Sequence, residues 1–204
     1  MTTNILVVGI GGQGVMTAAE AIARAALDAG YEASKTEVTG MSQRGGVVCS
    51  QVRIGEHIEA SEIRPGTACL LIAFEAAEGL RWSHYVAPDG CALFDSWRAV
   101  PPIVSSGVHE YPEDPAASLR AAGRRVLEVE ARGTAERLGD ARLANSVMLG
   151  AAAASLPFAE GALKDQILRR FGGGELAARN AAAFEAGRVL ATQALAGRPL
   201  PAEV

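Results

Sequence analysis

The stretch NILVVGIGGQG, Asn4 to Gly14, decides how this chain folds. Ile5 to Val8 form an unbroken apolar run, as expected of a parallel strand buried on both faces. Gly9, Gly11 and Gly14 then give G-x-G-x-x-G, with Gly12 as an extra glycine. Val15 to Ala29 reads as a helix whose polar residues Thr17, Glu20, Arg24 and Asp28 share one face. Strand, glycine turn and helix start together make the setting of a phosphate-binding loop. The same glycines also serve any strand that turns tightly into a helix, so the ligand is left open by the motif.

Around that core, composition narrows the choices. Of the 204 residues, 49% are hydrophobic but only 5% aromatic, so the interior is built from Ala, Val, Leu and Ile, and the length suits one domain. A net charge of −4 argues against a nucleic-acid partner or an anionic membrane surface. No apolar run reaches spanning length and no signal-like start is seen, so a cytoplasmic location is expected. Cys49, Cys69 and Cys91 form no C-x-x-C, and His57, His84 and His109 lack metal-ligand spacing, so no metal is expected on this chain. Cys69 and Cys91 lie in apolar runs and read as small buried hydrophobes.

Further along, Glu32 to Val38 and Val47 to Ile54 read as strands, with Gly55-Glu56 as a two-residue turn returning through His57 to Ser61. Cys69 to Phe74 and Cys91 to Phe94 are parallel-type strands, the second entered through the turn Pro88-Asp89-Gly90. A short strand is expected at Ile103. A helix over Pro115 to Ala122 precedes a strand over Arg125 to Val129. From Thr134 the chain turns helical, breaking at Gly172-Gly173-Gly174, with a last long helix over Glu175 to Leu195. The expected fold is α/β: a doubly wound, mostly parallel, Rossmann-like sheet with an inserted antiparallel hairpin and a helical C-terminal part. Residues 1–204 read as a single domain, with 1–133 as the sheet and 134–196 as helices that either pack on it or reach towards a partner.

A second unusual stretch is Ser42-Gln43-Arg44-Gly45-Gly46. Arginine offers a planar fork for carboxylate or phosphate, and the glycines let backbone approach closely. This loop and the Gly9–Gly14 turn should open on the same carboxyl edge, where ligands of doubly wound sheets lie. Glu75, Asp95 and Asn145 are further polar residues there or within apolar surroundings. Glu75 suits a helix start, Asp95 a turn, and Asn145 a hydrogen bond to another element or a partner. No nucleophile–base pair and no thiamine diphosphate signature stands out.

The run GIGGQGVMTAAEAIARAALDAGYEASKTEVTGMSQRGGVVCSQVRIG, with LLIAFEAAEGLRW, ARLANSVMLGA and NAAAFEAG, resembles the gamma-type domain of 2-oxoacid:ferredoxin (acceptor) oxidoreductases over nearly the whole chain. Within that family it is most similar to the indolepyruvate branch and its small, beta-type subunits. The resemblance implies a subunit of a complex that oxidatively decarboxylates an aryl or other 2-oxoacid to an acyl-CoA and passes electrons to ferredoxin or another acceptor. It implies thiamine diphosphate, Mg2+ and iron–sulfur clusters mainly on a larger partner subunit, and an isolated chain that is inactive. It also implies that Gly9, Gly11, Gly12, Gln13 and Gly14, with Ser42, Gln43, Arg44, Gly45 and Gly46, are the loops next to coenzyme A or the partner. Val47-Val48-Cys49 departs from the small or hydroxylated residues often found there.

Two other readings compete. A stand-alone dinucleotide-binding module would use Glu37, about twenty residues past the glycines, as its ribose-binding acid. A non-catalytic assembly subunit would use both loops only as interface.

Overall fold

Strand β1 (Thr3–Ile10) occupies the middle of a six-stranded sheet in the computed structural model, which describes residues 2–39, 46–98 and 111–196. Its central position follows from its sequence, since Ile5, Leu6, Val7 and Val8 are fully buried on alternating faces. The strand order is β2-β3-β1-β4-β5-β6, with β2 (Glu32–Thr39), β3 (Val47–Gly55), β4 (Ala68–Ala73), β5 (Val86–Asp95) and β6 (Arg125–Val129). β1, β4, β5 and β6 run parallel, whereas β3 is antiparallel to both of its neighbours.

Helices cover both faces. On one face Ile5, Val7, Val52, Ile72 and Leu93 pack under α1 (Val15–Asp28), α5 (Ala144–Ala152), α6 (Glu160–Phe171) and α7 (Gly174–Ala196). On the other, Leu6, Val8, Cys49, Leu71 and Phe94 pack under α2 (Ala76–Trp82) and α3 (Pro115–Ala121). A short α4 (Ala131–Arg137) follows β6. The C-terminal helices therefore dock on the sheet face that α1 also uses. Two glycines permit the crossing of α5 and α7: a Cβ on Gly150 would sit 2.0 Å from the Phe184 carbonyl oxygen, and one on Gly187 1.9 Å from that of Val147.

Four local expectations are corrected. The antiparallel hairpin is β2–β3, and the chain after Gly55 does not return as a strand. Backbone amides of that segment bind side chains of the hairpin instead: Ile58 donates to Glu32 of β2 at 2.8 Å and Ile63 to Gln51 of β3 at 2.6 Å, tying the segment down without a ladder. Pro88-Asp89-Gly90 is a bulge inside β5 rather than a turn before it, because the register jumps from Ala68 opposite Val86 to Leu70 opposite Cys91. Gly90 makes room for this, since a Cβ there would lie 2.6 Å from the Ala68 carbonyl oxygen. Cys69 is exposed although its neighbours Ala68 and Leu70 are buried, and it stands where the pairing of β4 with β5 skips. The strand expected at Ile103 lies outside the described residues, and α4 begins at Ala131 rather than Thr134.

Candidate functional site

The glycine turn is shaped by Gln13. Its side-chain oxygen accepts from the Ile10 amide at 2.7 Å, and its side-chain nitrogen donates to the Phe74 carbonyl at 2.9 Å, joining the ends of β1 and β4. Gly9 is glycine for this packing, because a Cβ would meet that Gln13 oxygen at 2.5 Å. Gly12 has φ +102° with nothing near a hypothetical Cβ, so it faces open space. Gly14, at φ 80°, ends the turn and starts α1 with no side-chain cap. The first amides of α1 are left to a ligand or solvent, at the positive end of the helix dipole.

Asn145 holds the turn from behind. Its amide nitrogen donates to the Gly14 carbonyl at 2.9 Å and to the Gln13 carbonyl at 3.3 Å. Next to it on α5, the buried Ser146 donates to the buried Asn180 at 2.7 Å, and Asn180 donates to the Leu176 carbonyl at 2.8 Å, so the helix that holds the turn is itself tied to α7.

A cleft of about 590 Å³ opens over this turn at the carboxyl edge of the sheet. Gly11, Gly12, Gln13, Gly14 and Thr17 form one wall. Asp95, Trp97 and Arg132 form another, and Arg142, Asn145, Arg170 and Phe171 close the third. The Arg132 guanidinium lies 4.8 Å from the centre of the Trp97 ring and also binds Glu136 at 2.8 Å. Arg142 is neutralised by Asp140 at 2.6 Å, whereas Arg170 is exposed and has no ion pair with a described residue. Asp95 is buried, and burial pushes its carboxyl up to about 6, against the pull of backbone donors from Trp97, Arg132 and Ala131 and of the Arg132 charge. Flat aromatic surface, cationic side chains and free helix amides in one opening suit a ligand with anionic and planar parts.

Of the ten residues singled out in the two loops, Gly11, Gly12, Gln13 and Gly14 line the cleft, while Gly9 lies beneath it. Gly46 is joined to the turn, its carbonyl accepting from the Gly11 amide at 2.8 Å. Both loops thus leave the same edge of the sheet, as their strands implied. Ser42, Gln43, Arg44 and Gly45 lie outside the described residues. Glu75 caps α2, accepting from the Glu78 amide at 2.8 Å and from the Tyr111 hydroxyl, so its place is structural. Glu37 sits on the edge strand β2, bound to Lys35 at 2.7 Å, with β3 between it and β1. A ribose acid of a dinucleotide fold would stand on the strand beside β1, so Glu37 is out of position for that role.

Trp97, Arg132, Arg142 and Arg170 line the cleft but belong to neither sequence motif. Arg132 was findable, since it follows a parallel strand and so lies on the ligand-bearing edge. Arg170 was not, because it reaches the cleft only through the docking of α6. Among the described residues, no group of three or more His, Cys, Asp or Glu side chains comes together to hold a metal ion. No helix among them is long and apolar enough to cross a membrane.

Against known proteins, a family profile described as pyruvate ferredoxin/flavodoxin oxidoreductase matches residues 4–190. Indolepyruvate oxidoreductase subunit IorB of Archaeoglobus fulgidus is 40% identical over 152 residues, covering 74% of this chain and 75% of the relative. Among solved structures, 2-oxoglutarate:ferredoxin oxidoreductase from Magnetococcus marinus, with 2-oxoglutarate, coenzyme A and succinyl-CoA bound, superposes with a TM-score of 0.74 at 24% identity. That match covers 94% of this chain but only 31% of the larger one. The gamma subunit of a keto/oxoacid ferredoxin oxidoreductase from Geobacter sulfurreducens has a TM-score of 0.67 at 24% identity, covering 94% of this chain and 99% of that one.

Proposed function

The chain belongs to the pyruvate ferredoxin/flavodoxin oxidoreductase family, and we propose that it is the small subunit of an indolepyruvate-type 2-oxoacid oxidoreductase complex. In this reading residues 1–204 act as one gamma-type domain beside a larger subunit that carries thiamine diphosphate, Mg2+ and iron–sulfur clusters. The complex converts an aryl or other 2-oxoacid and coenzyme A to an acyl-CoA and passes electrons to ferredoxin or another acceptor.

The residues of this chain do not fit an iron–sulfur cluster: Cys49 is fully buried within the sheet, Cys69 is exposed, and the described residues bring no metal-holding group together. The cleft fits an anionic nucleotide such as coenzyme A better than any other cofactor of the reaction. Its phosphates would meet the free amides of α1 and Arg170, and its adenine the Trp97–Arg132 wall. The observation that carries this reading is the cleft itself, open at the carboxyl edge and lined on three sides by donors and cations. Within the complex, Gly11, Gly12 and Gly14 let a phosphate approach backbone, and Asn145 keeps the turn in shape. Gly9, Gln13 and Gly46 support the turn from within the fold. Ser42, Gln43, Arg44 and Gly45 complete the site from the neighbouring loop, a role that rests on the sequence match.

Co-expression with the larger subunit tests the proposal. The pair should reduce a dye in a manner dependent on 2-oxoacid and coenzyme A, and the isolated chain should not. An active isolated chain would overturn it. In the pair, Arg44→Ala should weaken coenzyme A dependence if that arginine meets a phosphate, or loosen assembly if it meets a partner carboxylate. If coenzyme A dependence and assembly both match wild type, Arg44 is not part of the site.

A further inference from the structure

Asp95 ends β5 and is 2% exposed. One of its carboxylate oxygens accepts from the Trp97 amide at 3.2 Å and the Ala131 amide at 3.1 Å, and the Arg132 amide donates to both oxygens, at 3.2 and 3.4 Å. Two of the three residues it grips, Trp97 and Arg132, are the pair whose side chains stack at 4.8 Å. They come from different segments, one following β5 and the other opening α4, and both line the cleft.

A helix cap alone does not account for this. Serine or asparagine would cap the first turn of α4 without burying a charge, and a buried carboxylate is costly unless something requires it. Asp95 also closes a local turn on the Trp97 amide two residues on, so one carboxylate holds both the chain leaving β5 and the start of α4. Arg132, Arg142 and Arg170 are the charged groups that share the cleft with it, and among the described residues no other carboxylate lines that space. Arg142 is already matched by Asp140.

We propose that Asp95 is a positioning residue: its charged carboxylate clamps the Trp97 and Arg132 backbones so that indole and guanidinium form one flat, cationic wall against which the planar part of the cleft's ligand stacks. Protonation weakens the carboxylate as an acceptor and lets the two segments separate. The ligand's identity here rests on the reading of the cleft as a coenzyme A site; the clamp does not. Two readouts keep these apart.

The first readout is the full chain carrying Trp82→Phe, which leaves Trp97 as the only tryptophan and removes the Trp82–His84 ring pair, whose centroids lie 6.3 Å apart. Trp97 emission should change in one step centred near pH 6, and Asp95→Asn should abolish the step. No step between pH 5 and 7.5, or a step that survives Asp95→Asn, overturns the proposal.

The second readout is the KM for coenzyme A of the complex with its larger subunit. Coenzyme A carries a phosphate that itself titrates near pH 6, so the quantity to follow is the ratio of wild type to Asp95→Asn at each pH. Wild type should hold about a tenfold advantage at pH 7.5 that largely disappears at pH 5. A constant ratio overturns the proposal. An emission step removed by Asp95→Asn, with no coenzyme A bound at either pH, upholds the clamp and overturns the coenzyme A reading instead.

Discussion

Asn145 donates to the carbonyl of Gly14 at 2.9 Å, a bond between residues 131 positions apart that fastens the C-terminal helices to the glycine turn. The turn that would face a ligand is thereby shaped by a helix the nucleotide-binding motif does not include. Gln13 braces it from the sheet side and Asn145 from the helix side, so little of its form depends on bound ligand.

Asn145→Asp tests this brace. The replacement keeps the size but turns a donor into a carboxylate facing two carbonyl oxygens. A loss of about 1–3 kcal/mol in urea unfolding is expected, with Asn145→Ala towards the lower end. Stability equal to wild type in both variants would mean the bond is not made in solution.

Glycines sort into two groups by what surrounds them. Gly187→Ala drives a methyl to 1.9 Å from the Val147 carbonyl oxygen, backbone that cannot swing aside, and should cost about 3 kcal/mol or more. Gly161→Ala, within α6 and open on its outer side, should instead stabilise by about 0.5–1 kcal/mol through helix propensity. Thermal unfolding of the two variants side by side gives opposite signs if α5 and α7 cross as described.

The carboxyl edge was legible in the sequence because short apolar runs such as Ile5–Val8 and Leu70–Ala73 read as buried parallel strands, and parallel strands share one carboxyl edge. Glycine spacing located the turn, and the odd Asn145 in an apolar helix pointed to a contact it does make. The partner of β3 was not legible. Its residues alternate equally well against β2 or against a strand after Gly55, and pairing depends on contacts far apart in sequence. The cationic side of the cleft was hidden for the same reason, since Arg142 and Arg170 arrive through helix docking.

Asp95 gives a pH dependence of definite sign. Its carboxyl titrates at about 6 when folded against 3.8 ordinarily, so in that window the folded chain holds a proton the unfolded chain has lost. Its stabilising contribution is complete below pH 3.8 and fades as pH rises through 6, by roughly 3 kcal/mol in all. Urea midpoints at pH 5 and 7 should show wild type losing stability across this interval relative to Asp95→Asn. Parallel behaviour of the two would contradict the burial of a charged Asp95.

Cysteine chemistry should separate just as cleanly. Burial, with the Glu78 carboxylate nearby, pushes the Cys49 thiol up to about 12, while Cys69 is exposed. Iodoacetamide at pH 8 should label Cys69 rapidly in the native chain and leave Cys49 unmodified until it unfolds, as peptide mass spectrometry would record. Replacing all three cysteines should leave the iron content of the assembled complex unchanged.

The most direct measurement is the coenzyme A dependence of 2-oxoacid oxidation by the two-subunit complex carrying Arg170→Gln. Arg170 lines the cleft, is exposed and has no ion pair with a described residue, so its removal takes away a ligand contact and little else. A charge-assisted contact of roughly 1.5–3 kcal/mol corresponds to a rise in the KM for coenzyme A of about ten- to over a hundredfold. The KM for the oxoacid and the mass of the complex should stay as in wild type. An unchanged KM for coenzyme A in an intact, active complex would contradict the assignment of this cleft.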